Sequence, residues 1–264
     1  MTQIYKVDSW KEFLQLVESE ELRGWAFRGQ RDSSWVLESS LTRRLKQFVP
    51  QEIWKEREGR AVRVFKRKAH HFLNDTSSLN DDFRCLALMQ HHGAPTRLLD
   101  FTKSPYVASY FALQSCTTPA AVYAVNTPAL WHEATPPGFP ELTREAIDPR
   151  NKDALQKYYF SNDYPVVWPG EPWTMDRRIV AQAGTFMLPG QVGTSVETLL
   201  SNYIYDKPLL VKIILCPEIR KEAMEALYRM NITNATLFPD LDGLARSISY
   251  ELEVSWVGSS GPLK

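Results

Sequence analysis

The sequence predicts an α+β protein with N-terminal helices and an irregular insertion. Three observations carry this. The 264 residues are 44% hydrophobic and 23% charged, an ordinary globular composition for a chain long enough to bury a sizeable core. Short apolar runs with the character of strands stand at Ala121–Val125 and from Leu209 to Leu215. Between and before them lie segments with helical spacing and recognisable caps. There is no internal repeat and no low-complexity tract, so a single domain spanning residues 1–264 is the expectation.

From the N-terminus, Ser9 to Glu12 reads as a capping box, after which Trp10, Phe13, Leu14 and Val17 recur on one helical face. The apolar run Gly24 to Phe27, stopped at Arg28-Gly29-Gln30, reads as a strand that delivers a charged side chain at its end. Residues 51–74 set Ile53, Val62, Val64, Phe65 and Phe72 among many charges and predict one or two surface helices; the cluster Arg60, Arg63, Lys66, Arg67 and Lys68 reads as a solvated face or a contact for an acidic partner. Ser104 followed by Pro105 is an N-cap with proline at the first helical position, and Val107, Ala108, Phe111 and Ala112 supply an apolar face. Residues 126–176, rich in proline and tryptophan, predict an irregular covering segment rather than a linker. A helix is expected after Pro217, running to about Met230.

The 31 basic and 31 acidic residues cancel, so no overall field recruits nucleic acid or a membrane, and charge-driven binding has to be local. Cys85, Cys116 and Cys216 are odd in number, widely spaced and lack a C-x-x-C pair, which argues against a disulfide framework or a structural zinc site. They read as buried free thiols. The charged N-terminal stretch and the lack of a long apolar run predict a cytoplasmic protein.

The chemistry concentrates between Leu88 and Thr102. There an apolar helix end gives way to His91, His92, Arg97, Asp100 and Thr102, with Gly93 and Pro95 breaking the helix. Asp100 and Thr102 share a face by the two-residue strand period. A carboxylate, a hydroxyl and a guanidinium so placed suit a ligand; they suit equally an Arg97–Asp100 ion pair with His91 capping the helix. Phe27-Arg28-Gly29 adds an arginine fork suited to phosphate and a glycine that allows close backbone approach. Asp240 and Asp242 bracket a helix start and read as caps; with His91 they are also the groups a metal-dependent nuclease would use.

Phe27-Arg28-Gly29-Gln30, the stretch Gln90 to Ala112, the run Arg178 to Phe186 and the run Leu237 to Ala245, in that order, resemble the FRG domain family, over residues 20–250. A second, looser resemblance is to ADP-ribosyltransferases of the arginine-serine-glutamate type. In that group an aromatic-Arg-Gly strand holds the NAD phosphates and a Ser/Thr strand precedes a helix with buried alanine and phenylalanine. Phe27-Arg28-Gly29 is similar to the first, and Asp100 to Ser104 leading into Phe111 is similar to the second. The resemblance implies a mixed or antiparallel, split β-core. The third element departs from the pattern: where a strand should carry a catalytic glutamate, this chain has Gln182, so that either Gln182 positions the ribose hydroxyls, or a carboxylate such as Asp100 or Glu171 takes over, or the fold no longer catalyses this reaction.

The function implied by these resemblances is an NAD-consuming transferase or glycohydrolase that needs no metal. Arg28, Asp100, Thr102 and Gln182 are the expected catalytic groups; Phe27, Arg28, Gly29, Gln30, His91, Arg97, Ser104 and Phe111 are the expected NAD contacts. The resemblance further implies a growth-inhibiting toxin, including in phage defence, with a protein or RNA acceptor and an antitoxin protein as partners. Trp168 and Trp173 are candidates for stacking on an RNA. A non-catalytic nucleotide- or phosphate-binding module is the alternative of a different class.

Overall fold

The computed structural model describes residues 2–253. Among them, seven strands form one sheet: Gln3–Val7 (β1), Ala26–Gln30 (β2), Leu99–Thr102 (β3), Ala120–Val125 (β4), Val167–Gly170 (β5), Gly184–Pro189 (β6) and Leu210–Leu215 (β7). Their spatial order is β1-β7-β4-β2-β3-β6-β5. Only β1 and β7 run parallel; the other neighbours are antiparallel. The helices are Trp10–Val17 (α1), Ser40–Phe48 (α2), Trp54–Ala69 (α3), Asp82–His91 (α4), Pro105–Leu113 (α5), Thr127–His132 (α6) and Lys152–Ala154 (α7). They continue with Arg177–Ala181 (α8), Val196–Ser201 (α9), Arg220–Arg229 (α10), Asn234–Leu237 (α11) and Leu241–Glu251 (α12). This is the α+β class expected from the sequence.

Local chemistry explains several boundaries. The Ser9 side chain accepts from the Glu12 N–H at 3.2 Å and starts α1; the Ser104 side chain accepts from the Val107 N–H at 3.3 Å and starts α5. At the end of α4, Gly93 takes φ +78°, a conformation glycine enters without steric cost. Strand β1 lies outside the sequence expectation, because its alternating pattern becomes a strand only by pairing with β7, two hundred residues away.

The sheet has two differently covered halves. On one face, α1, α5 and α10 pack on β2, β4 and β7 through Phe13, Phe27, Leu113, Val122, Ile213 and Leu227. Residues of α3, α4 and the turn 155–160 bury Phe83, Leu86, Leu155 and Tyr159 against Trp168, Phe186 and Leu188. The opposite face is closed by α6 and α9 over Phe101, Tyr123, Val167 and Met187. Residues 126–176 are therefore more than an irregular cover: they supply edge strand β5 and a wholly buried Trp168.

Gly29 sits where β2 touches α5 backbone to backbone. A Cβ there would fall 1.9 Å from the Ala108 carbonyl oxygen and 2.7 Å from the Ala112 nitrogen. On its Cβ side the approach that this glycine permits is to a helix.

Arg97 is corrected as well. It is 0% exposed, and Glu58, 3% exposed, meets it as a bidentate partner: Nε donates to Oε1 at 2.7 Å and Nη2 pairs with Oε2. Its Nη1 donates to the carbonyls of Pro189 and Gly190 at 3.1 and 3.2 Å. The guanidinium therefore ties α3 and the segment entering β3 to the end of β6, with four of its five donors committed and its side chain shut away from any ligand. Helix α3, expected at the surface, buries Trp54, Glu58, Val62 and Ala69.

Gln182 also differs from expectation. Instead of a strand through 178–186, Asp176 accepts from the Ile179 N–H at 2.9 Å and nucleates α8; Gln182 follows it, Ala183 turns the chain at φ +46°, and the strand begins at Gly184.

The cysteines are free; Cys85 and Cys116 are buried, and Cys216 is half-buried with its Sγ 2.7 Å from Asp8 Oδ1. Burial pushes the Cys85 thiol up to about 11. No helix among the described residues is long and apolar enough to cross a membrane.

Two substitutions test this packing. Glu58→Ala strands the Arg97 charge in the core and is expected to lower unfolding free energy by about 3–5 kcal/mol. Gly29→Ala has to push α5 off β2 and is expected to cost roughly 1–3 kcal/mol or more. Urea unfolding followed by circular dichroism checks both; a loss under about 0.5 kcal/mol for either, within the range of surface substitutions, refutes the packing assigned to it.

Candidate active site at the split of the sheet

Strands β2 and β3 pair at one position, Phe27 opposite Thr102, and then part. A cavity of about 540 Å³ opens there. Its walls are Phe27 to Gln30 of β2, Asp100 to Thr102 of β3, and Phe111, Gln114 and Ser115 at the end of α5; Arg178 and Gln182 close one side, and Arg31, Trp35 and Arg43 the other.

Arg28 is the central group. It is half-buried overall, and its Nε is wholly buried with no partner among the described residues. Its Nη1 donates to the Asp100 carbonyl oxygen at 2.6 Å. No carboxylate lies within 4.0 Å of this guanidinium among the described residues, in contrast to Arg97. Burial lowers its pKa from the ordinary value; the Asp100 charge opposes that and Arg43 adds to it. An arginine does not lose its proton under these conditions, so the desolvated charge is held ready for an anion. Beside it, Gln30 donates from Nε2 to the Val36 carbonyl at 3.3 Å, and its buried Oε1 has no partner among the described residues.

Asp100 is the only carboxylate among the residues lining the cavity. Its Oδ2 accepts from Gln90 Nε2 at 2.9 Å, and Gln90 Oε1 accepts from Thr96 at 2.6 Å, so the carboxylate is oriented by α4. Against it stand Arg28, Arg31, Arg43 and Arg178, none of them ion-paired among the described residues. A chain with no net charge thus concentrates positive charge at one opening.

Other expected residues are drawn into the scaffold. Thr102 lines the cavity, but its Oγ1 donates to the Gln182 carbonyl at 2.7 Å and accepts from the Ser104 N–H at 3.0 Å. Gln182 also lines it, and its Nε2 donates to the Leu237 carbonyl at 3.0 Å. Ser104 is spent as the α5 cap. His91 lies outside the lining; its Nδ1 is 3.0 Å from Asp176 Oδ2 and its carbonyl accepts from Arg178 Nη1 at 3.4 Å, so it positions α8. Phe111 lines the cavity and meets Phe238 edge-on at 6.0 Å.

Glu171 pairs with Lys103 at 2.8 Å, away from the lining. Asp240 caps α12 by accepting from the Gly243 N–H at 2.7 Å. Among the described residues no group of three or more His, Cys, Asp or Glu side chains is placed to hold a metal ion.

Arg31, Trp35, Arg43 and Arg178 were not expected as lining. Arg31 and Trp35 follow the FRG motif on a loop, and Arg43 sits in an unremarkable helix; only the fold brings them to Arg28.

Residues 23–120 match the family model of the FRG domain. The match runs from just before β2 to the first residue of β4 and contains Arg28, Arg43 and Asp100, whereas Arg178 and Gln182 lie beyond it. No match was found among curated proteins or among solved structures.

The unpaired guanidinium gives a direct test. Arg28→Ala removes a half-buried charge that has no ion-pair partner among the described residues, so its melting temperature is expected to equal or exceed that of the wild type. Inorganic pyrophosphate at about 100 times its Kd should stabilise the wild type by about 2.7 kcal/mol and the variant far less. Differential scanning fluorimetry reads both; a variant that unfolds early would make Arg28 a structural member.

Proposed function

We propose that this chain is an NAD-consuming ADP-ribosyltransferase, or a glycohydrolase when water is the acceptor. The observation that carries the reading is Arg28: a half-buried guanidinium with no carboxylate within 4.0 Å among the described residues, at the point where the sheet divides, beside a cavity of about 540 Å³. That volume lies within the range of small-ligand sites, roughly 300–1,000 Å³. Arg28 would hold the pyrophosphate, with Arg43 or Arg178 sharing its second charge.

Asp100 would face the nicotinamide ribose. As the bond from C1 of that ribose to the nicotinamide nitrogen breaks, the electron pair leaves with nicotinamide and positive charge develops on the ribosyl centre. A carboxylate oriented by Gln90 stabilises that charge. The acceptor's lone pair then forms the new bond to C1, and its proton passes to Asp100 or solvent. Thr102 and Gln182 act as positioning residues, because their hydrogen bonds hold β3 to the turn before β6. On this reading the protein is a toxin, in a toxin–antitoxin pair or in phage defence, working in the cytoplasm.

One observation favours a second reading, a nucleotide-binding module without turnover: the Thr102 hydroxyl and the Gln182 amide are both engaged within the protein, and no glutamate lines the cavity. Incubation of the purified protein with labelled NAD, total cell protein and total RNA separates the two. Label transfer or nicotinamide release is expected from the wild type, and a fall of roughly 10²–10³-fold in Arg28→Ala. Asp100→Asn is expected to reduce kcat more than it raises KM. Binding of NAD with no release by the wild type would establish the module instead.

A further inference from the structure

The lining of the cavity includes an aromatic side chain that the core does not use. Trp35 is 44% exposed, yet its backbone is pinned: its carbonyl accepts from the Tyr123 hydroxyl at 2.7 Å, its N–H donates to the Asp32 carbonyl at 3.2 Å, and the next carbonyl accepts from Gln30 at 3.3 Å. A large apolar ring held out by a rigid loop is a preorganised surface, not a frayed one. Arg31 lies over it, with the guanidinium carbon 5.1 Å from the ring centroid.

The same pairing recurs on α2. Arg43 lines the cavity, with Nη1 donating to the Glu38 carbonyl at 2.6 Å and its remaining donors uncommitted. One residue on, Arg44 lies 4.4 Å over the ring of Phe48, which is 58% exposed. Of the acidic neighbours, Glu38 pairs with Lys46, while Asp32 accepts from Ser34 and stays anionic next to Arg31.

Arginines interleaved with exposed aromatic rings at a positive cleft suit a flexible polyanion with stackable faces. The second pair lies on α2 outside the cavity lining, so the pattern extends past what a small nucleotide in the cavity would touch. We propose that the Arg31–Trp35 and Arg43–Arg44–Phe48 rim binds single-stranded nucleic acid, and, resting on the transferase reading above, that this strand is the acceptor. A base stacks on Trp35, and the phosphates lie against Arg31, Arg43 and Arg44. Trp168, expected from the sequence as a stacking residue, is wholly buried and has no part in this.

The test needs no NAD. Fluorescence anisotropy with end-labelled twelve-nucleotide oligo(U) and oligo(dT) at 50 mM salt and above gives affinity and its salt slope. Wild-type protein is expected to bind. Trp35→Ala should weaken binding by roughly 5- to 150-fold, the range for loss of one stacked base. Arg31→Gln with Arg44→Gln should flatten the slope of log K against log salt by about 1.4, as for two phosphate contacts on a single strand. These side chains are exposed or half-exposed, and unchanged melting curves will show that the variants fold.

Absence of wild-type binding, or variants that bind like the wild type, overturns the inference. So does a Trp35→Ala protein that loses ADP-ribose affinity but keeps oligonucleotide affinity. Each of these failures leaves nicotinamide release by the wild type untouched; oligonucleotide binding without nicotinamide release sinks the transferase instead and leaves the strand-binding rim standing.

Discussion

Strand β3 is hydrogen-bonded to β6 along its whole length but meets β2 only where Phe27 faces Thr102. Past that pair the backbone groups that would have closed the ladder need other partners. The Asp100 carbonyl finds one in the Arg28 guanidinium, which thereby stands in for a missing sheet hydrogen bond. The same side chain spans the opening and leaves its remaining Nη donors for whatever enters. Division of the sheet and placement of the charge are one structural event.

The division is held open from both sides. β2 cannot shift toward α5, because their backbones are already in contact at Gly29. β3 cannot follow β2, because the segment entering it is anchored by Arg97 to Glu58 of α3 and to the carbonyls after β6. At the other end Thr102 is tied to Gln182, and Gln182 to Leu237. Polar residues that the motif pattern marks for chemistry thus divide into two sets. Arg28, Gln30 and Asp100 face the opening; Arg97, Thr102, Ser104 and His91 hold its walls, with Thr102 at the boundary.

Arg28 and Arg97 illustrate how burial alone does not decide a role. Both guanidiniums lose solvent, at a cost that a protein offsets by pairing or retains for a ligand. Glu58 neutralises Arg97, and two carbonyls take two more of its donors. Arg28 has a single carbonyl; the Asp100 charge relieves part of the excess, and Arg43 adds to it. The local field is strong although the 31 basic and 31 acidic residues of the chain cancel.

Much of this was legible in the sequence. Caps at Ser9, Ser104 and Asp240, the helix break at Gly93, and the strands at Ala120–Val125 and Leu210–Leu215 depend on neighbours within a few residues, and local chemistry specifies them. The FRG motif and the Asp100 segment marked two walls of the opening for the same reason. Only the tertiary structure decided which arginine is free, since Glu58 lies 39 residues from Arg97 and no periodicity announces that contact. It alone placed Arg43 and Arg178 beside Arg28, made a strand of Gln3–Val7 by pairing it with β7, and turned Gln182 out of a strand into the bend after α8. Side-chain chemistry is written in the sequence; whether a charge is compensated depends on distance, and distance is set by the fold.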